Sequence, residues 1–244
     1  MQVVDINGNH LRTIKTSMYP YDYLHNKEGK LLLYLDKKPF QNKPFSIIGY
    51  DEKAVSFYGF LPSNGYERSG FGFHPFSENF IGSFFAQFAN DTIYNIDSEI
   101  AHPSYVLDFG KRSLPADKRD IQSVIKMMNG KEQFLCLSHS WKQVGQIVSF
   151  VYCSEERLDN LLYYDLKTDL FYGGRWNYPE MELGRIYGPN QGSTEDSFVF
   201  LVQAISIIED ADKYQNKRSG KYLKLASSLD VEDNPVIVFW KVAE

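Results

Sequence analysis

The sequence predicts an all-β protein, a β-propeller of about four to five blades with helices inserted near residues 116–129 and 203–229. Three observations predict it. Aromatic residues make up 16% of the chain, 18 Phe and 17 Tyr among them, and such rings favour half-buried pleated surfaces. Short apolar runs alternate with turn residues along most of the length. An aspartate recurs at the end of one such run after another, with a spacing of about 46 residues, the size of a four-stranded blade.

Taken in order, Val3-Val4 and Leu11, Ile14 flank "DINGN", whose Asn7-Gly8 pair suits the positive φ angles of a two-residue hairpin turn. Asp5 follows the strand "MQVV", Asp51 follows "FSIIGY", Asp97 follows "DTIYNI" and Asp165 follows "NLLYY". Each is succeeded by a second short strand: "HLRTI", "VSFYGF", "PSYVLDF" and "DLFYGG". Aspartate suits this place because its short carboxylate bonds the backbone just beyond it. In "FANDTIYNID", Asn90-Asp91 reads as the tight turn between two strands of one blade, and that turn chemistry also accounts for the Asn90-Asp91-Thr92 match to a glycosylation acceptor. The interval before Asp165 is longer because a helix intervenes between Pro115 and Gly130, with Ile121, Val124, Ile125 and Met128 on one face. Residues 1–16 then supply the last hairpin of one blade, and 18–62, 66–110 and 131–176 supply three more blades. In 184–244, strands around Ser197 to Val202 and Pro235 to Val242 enclose helical sequence: Ile207, Ile208, Ala211 and Tyr214 share a face, and "KYLKLASSL" follows. No linker rich in Gly, Ser or Pro divides the chain, so 1–244 reads as a single domain.

Composition excludes several classes. With a net charge of -5 and no block of Lys and Arg, the chain is not built to neutralise phosphates, and no nucleic-acid partner is expected. No transmembrane segment is expected either, since the longest apolar stretch, "FVFLVQAISII", is short and broken by Gln203 and Ser206. "MQVVDINGNHLRTI" lacks the basic, apolar and cleavage regions of a signal peptide. Cys136 and Cys153 have no metal-ligand spacing and read as small apolar residues in neighbouring strands. The nucleophile-elbow, phosphate-loop and zinc motifs are all missing, and "DINGN" fails as a calcium loop because His10 and Thr16 occupy its glycine and glutamate positions. No metal and no cofactor are expected.

Candidate binding residues fall in two stretches. "YERSGFGFHPFSENF" combines Tyr66, Glu67, Arg68 and His74 in a glycine- and aromatic-rich connection of the kind that forms ligand sites at a propeller face. "FYGGRWNYPEMELGRIYG" places Arg175, Trp176 and Tyr178 after a Gly-Gly turn, where rings and a guanidinium can stack on sugars or grip a carboxylate. Glu180 and Glu182, two residues apart with no third acid or histidine, read as a solvated loop. Of the remaining histidines, His10 and His25 read as strand residues and His102 as a strand entrance, while alternation on a strand separates His139 from Ser138 and Ser140.

"FANDTIYNI" followed by "PSYVLDFGKRSLP" and the closing "LDVEDNPVIVFWKV" resembles the C-terminal portion of a six-bladed β-propeller family of exported bacterial lipoproteins, distantly similar to NHL-type propellers. The resemblance implies a six-bladed ring of which this chain holds four to five blades, without the N-terminal blades and lipoprotein signal. It implies a place in the cell envelope, periplasm or outer surface, and self-association through open blade edges. That family has no assigned biochemical role and transfers no site residues. The expected function is a non-catalytic binding or scaffold module for a glycan, peptide or protein ligand, because no nucleophile, metal set or paired acid emerges. The alternative is a propeller enzyme, a lyase or hydrolase acting on a saccharide or peptide.

Overall fold

The computed structural model describes residues 2–5, 7–13, 20–25, 30–35, 47–50, 55–57, 76–79, 82–96, 101–130, 133–154, 160–173 and 191–242. Within them the protein is mostly β-structure. The strands are β1 (Gln2–Val4), β2 (His10–Thr13), β3 (Pro20–His25), β4 (Leu31–Leu35), β5 (Ile47–Tyr50) and β6 (Val55–Phe57). Next come β7 (Phe76–Asn79), β8 (Gly82–Ala86), β9 (Thr92–Asn95) and β10 (His102–Val106). A third set is β11 (Leu135–Val144), β12 (Ile147–Ser154), β13 (Asn160–Asp165) and β14 (Leu170–Gly173), and the last is β15 (Gly192–Ser193), β16 (Ser197–Val202) and β17 (Val236–Lys241). Every pairing is antiparallel and joins strands consecutive in the chain, giving a hairpin, three four-stranded sheets and one three-stranded sheet. Among the described residues no sheet closes on itself.

The aspartate repeat has a structural counterpart. Asp5, Asp51, Asp97 and Asp165 all stand at the connection into the last strand of a sheet, between β1 and β2, β5 and β6, β9 and β10, and β13 and β14. Asp51 and Asp97 themselves lie outside the described residues. Asp5 Oδ1 accepts the N–H groups of Asn7 at 2.8 Å and Asn9 at 2.9 Å, and the Asn9 amide donates to Oδ2 at 2.9 Å. Asp165 Oδ1 accepts the N–H groups of Lys167 at 2.8 Å and Thr168 at 3.3 Å, and the Thr168 hydroxyl donates to Oδ2 at 2.7 Å. These bonds hold both carboxyls below the ordinary range, the Asn9 side chain contributing most at Asp5 and the Thr168 hydroxyl most at Asp165.

Two turns differ from expectation. The first hairpin closes through Asp5 N–H to Asn9 C=O at 2.9 Å, with Gly8 at φ +83°, so it is a longer loop with one left-handed glycine rather than a two-residue Asn7-Gly8 link. In the second, β8 and β9 do pair across "FAND", with Ala86 opposite Ile93, but the turn is centred on Phe88-Ala89. Ala89 takes φ +58°, and Asn90 N–H donates to Gln87 C=O at 3.1 Å. Asn90 and Asp91 come just after the turn. The Asn90 side chain accepts Thr92 N–H at 3.2 Å, which leads the chain into β9.

The sheets pack face to face in chain order, because side chains on a strand alternate between two faces. On β8, Phe85 joins Leu32, Tyr34, Ile47 and Ile96 between the second and third sheets, while Phe84 and Ala86 point the other way. There they meet Leu137, Trp141, Val148 and Phe150 of the fourth sheet. On β12 and β13 the opposite parity, Val151, Leu161 and Tyr163, packs with Phe198, Phe200 and Val238 of the last sheet. Both faces of the inner strands of the middle sheets are therefore buried, all five residues of β8 among them, while β10 and β14 at the outer edges are exposed. The rings of Trp141 and Phe150 stack at 6.0 Å, and Tyr163 meets Trp240 edge-on at 4.8 Å. The far face of the last sheet stays exposed, with Leu201, Ile237 and Phe239 in solvent.

Helices cover the flanks where the sequence places them. Helix α1 (Ile121–Gly130) is capped by Asp120, whose Oδ1 accepts the N–H groups of Gln122 and Ser123, both at 3.0 Å. It buries Val124 and Met127, whereas Ile125 is half-exposed. The side chains of Ile121 and Met128 lie outside the described set. Helices α2 (Ala204–Lys213) and α3 (Gly220–Ala226) cover the core of the last sheet through Ile207, Ala211, Tyr222 and Ala226. Asp210 and Arg218 tie them together, both side chains 4% exposed, with bonds of 2.7 and 2.9 Å. The bond to Asp210 pushes the Arg218 guanidinium up, so it is charged at every accessible pH, and it also lies 5.2 Å from the Tyr214 ring centre. Arg218→Ala strands a buried carboxylate and is expected to cost about 3–5 kcal/mol in urea unfolding. A loss below about 1 kcal/mol would show that the pair does not hold the helices.

Candidate functional site

The strands that open the sheets converge. β7 lies against β3, β11 and β15, and β11 also lies against β15. All four are the first strand and an edge of their own sheet. At the meeting point sits Asn79, the last residue of β7, 2% exposed. Its Oδ1 accepts the Gln143 N–H of β11 at 2.9 Å and the Ser193 hydroxyl of β15 at 3.1 Å, so one atom joins three sheets. The Gln143 side chain extends the network, accepting the Tyr105 hydroxyl at 2.9 Å and donating to Gly145 C=O at 3.1 Å. Beside it Lys142 is only 8% exposed.

This seam brings amide and hydroxyl groups together in a mostly dry setting. Such groups suit hydrogen bonding to hydroxyls and amides. The Ser193 proton is directed at an amide oxygen, which is no base, so the contact does not activate a nucleophile. Among the described residues no group of three or more His, Cys, Asp or Glu side chains is placed to hold a metal ion.

A second polar feature lies over helix α1. Arg119 grips Asp91 with two bonds, at 3.1 and 2.5 Å, and its Nε reaches Leu114 C=O at 3.4 Å. Partial burial pushes the Asp91 carboxyl up, but the Arg119 guanidinium and the Thr92 hydroxyl outweigh it and hold the group below its ordinary value. The pair borders a small recess lined by Ala89, Phe109, Ser113, Leu135 and Cys136, with about 190 Å³ of atom-free space that opens to solvent.

Tyr66, Arg68, His74, Arg175 and Trp176 all lie outside the described residues, as do Glu67, Tyr178, Glu180 and Glu182. By chain position, the stretch holding Tyr66, Arg68 and His74 runs directly into β7, and the stretch holding Arg175 and Trp176 leads from β14 to β15. Both therefore feed the strands that Asn79 bridges. His10, His25 and His102 are exposed strand residues as expected, His102 opening β10. At His139 the β11–β12 register shifts on either side of its pairing with Val151. Asn79, Lys142, Gln143 and Ser193 were not singled out by sequence reasoning. The available signal was a polar residue ending a short strand in "FSEN" and a Lys-Gln pair within "SWKQV".

No known family model matches the chain, and no curated protein matches it. Among solved structures it resembles the crystal structure, at 2.60 Å, of a "Putative exported protein" from Bacteroides fragilis NCTC 9343. The two share 14% identity and superpose with a TM-score of 0.73 over 98% of this chain and 70% of the other. That likeness shows a shared fold. No helix among the described residues is long and apolar enough to cross a membrane.

Two outcomes follow from this geometry. Asn79→Ala leaves the Gln143 N–H without its acceptor and is expected to cost about 1–3 kcal/mol in thermal or urea melts, against less than about 1 for Ser193→Ala, which removes donor and hydroxyl together. The Asp91–Arg119 pair acts in the usual carboxylate sense. Its contribution is present above the ordinary value of 3.8 and is lost as pH falls through the lowered value in the folded state. The stability gap between the parent protein and Asp91→Asn should therefore stay level near neutrality and narrow in acid. A gap that widens in acid would reverse the sign.

Proposed function

We propose that this chain is a non-catalytic binding or scaffold module of the bacterial cell envelope, folded as four to five blades of a six-bladed, NHL-like propeller within a single domain. The observation that carries the reading is the convergence of β3, β7, β11 and β15, with their sheets stacked face to face in chain order. First strands gathered round a common axis are what a radial array of blades requires. The envelope location draws support from the description of the structural neighbour as an exported protein. The ligand is a glycan, peptide or protein. Its site is the convergence of the first strands, whose approach the amides and hydroxyl around Asn79 brace. Arg68, His74, Arg175 and Trp176, carried on connections into β7 and β15, supply stacking and charge.

The test is a glycan and peptide binding screen on the protein, followed by isothermal titration of the best ligand. Arg68→Ala and Trp176→Ala should each weaken binding about tenfold or more, about 1.4 kcal/mol, with unchanged melting temperature. Cleavage or elimination of a bound saccharide or peptide, seen by mass spectrometry, would replace this reading with the lyase or hydrolase alternative. A screen without hits, or variants that bind as well as the parent, would remove the site.

A further inference from the structure

We propose that Cys136 and Cys153 form a cross-strand dithiol site that a peroxide-class oxidant, entering through the recess beside Arg119, converts to an intramolecular disulfide. The two residues stand directly opposite each other in the antiparallel register of β11 and β12. Directly opposed residues have Cα atoms about 4.5–5.5 Å apart, inside the roughly 4.4–6.8 Å range that a disulfide spans, so closure needs side-chain rotation and no backbone movement. Both are buried thiols with no disulfide between them, and each is the other's partner across the strand pair. Their surroundings, Phe88, Leu114, Val124, Met127 and Phe134, are apolar and offer no competing thiol.

Access is unequal. Cys136 lines the recess that opens to solvent between Asp91, Arg119 and Ser113, whereas Cys153 is not among its lining residues. At about 190 Å³ including its open mouth, the recess is well below the size of an ordinary ligand pocket. A peroxide can present one oxygen end-on, while a tripeptide disulfide cannot enter. Cys136 is thus the attacking sulfur and Cys153 the resolving one.

The chemistry balances. The Cys136 thiol gives up its proton and attacks one peroxide oxygen; the O–O bond breaks, one water leaves, and a sulfenic acid forms at Cys136. The Cys153 sulfur then attacks the Cys136 sulfur, the S–O bond breaks, and the second water carries away the Cys153 proton. Two electrons pass from the two sulfurs to the peroxide, giving one disulfide and two waters. The bond to the Cys153 thiol and burial both push the Cys136 thiol up, and the nearby Arg119 charge pulls it back only in part. The thiolate is therefore scarce, and the site closes slowly, as a covalent latch on the central hairpin and not as a rapid sensor.

The experiment exposes the native, full chain to excess hydrogen peroxide. Titratable thiols should fall from two to none, intact mass should drop by two hydrogens, and non-reducing peptide mapping should link the segments of Cys136 and Cys153. The melting temperature should rise by several degrees and return on reduction. In Cys153→Ala, dimedone should trap a sulfenic acid on Cys136. The reciprocal Cys136→Ala protein should react at least tenfold more slowly. Thiols that persist while methionines oxidise, a sulfinic acid without cross-link, or a disulfide between two chains would each overturn the site. Equal rates in the two alanine variants would overturn the route through the recess.

Discussion

A strand buried on both sides must send alternate side chains into two different cores, and the middle of this molecule is built on that constraint. β8 is the plainest case: Phe85 belongs to the core shared with the second sheet, and Phe84 and Ala86 to the core shared with the fourth. A slip of one residue in its pairing would exchange the two sets, and Phe and Ala differ too much in volume for either core to accept the other's. Register is therefore fixed by packing on both sides at once. The hydrogen bonds at Asn79 then set how the sheets approach, since a buried amide oxygen with two donors tolerates little sliding between β7, β11 and β15.

Much of the architecture was legible in the sequence, for reasons that can be named. At Asp5 and Asp165 the recurring aspartate marks the last connection of a sheet, because a carboxylate that accepts nearby N–H groups needs only its local chain to act. The inserted helices were legible through their 3.6-residue apolar spacing, and Ile207 and Ala211 are buried accordingly, with Ile208 and Tyr214 half-buried. The placing of Cys136 and Cys153 in neighbouring strands was also visible, though their direct opposition was not. Turn centres were not. Asn-Asp and Asn-Gly are frequent turn residues, but the chain at Phe88-Ala89 gives the positive φ to an alanine that docks on β11 through Ala89 N–H to Leu137 C=O at 2.8 Å. That is a tertiary contact overriding a local preference.

The polar seam was hidden for a similar reason. Asn79 and Ser193 are 114 residues apart, and Asn79 and Gln143 are 64 apart. Nothing local distinguishes them from surface residues, since their role exists only once three sheets have met. The aromatic and basic stretches around His74 and Trp176 stand out by composition instead, and in chain order they precede β7 and β15.

The chain-order pairing described for every sheet also bears on how the molecule acquires its shape. Each strand finds its partner in the next strand of the sequence, so most pairings close over short connections at little loss of loop-closure entropy, the β16–β17 pairing across α2 and α3 excepted. Sheets can form one after another as the polypeptide emerges from synthesis, each completed face presenting a surface on which the next condenses. Unfolding can run the same course in reverse. A sheet at the end of the stack has one neighbour to lose and an interior sheet has two, so fraying should begin at the extremities and reach the β7–β14 region last.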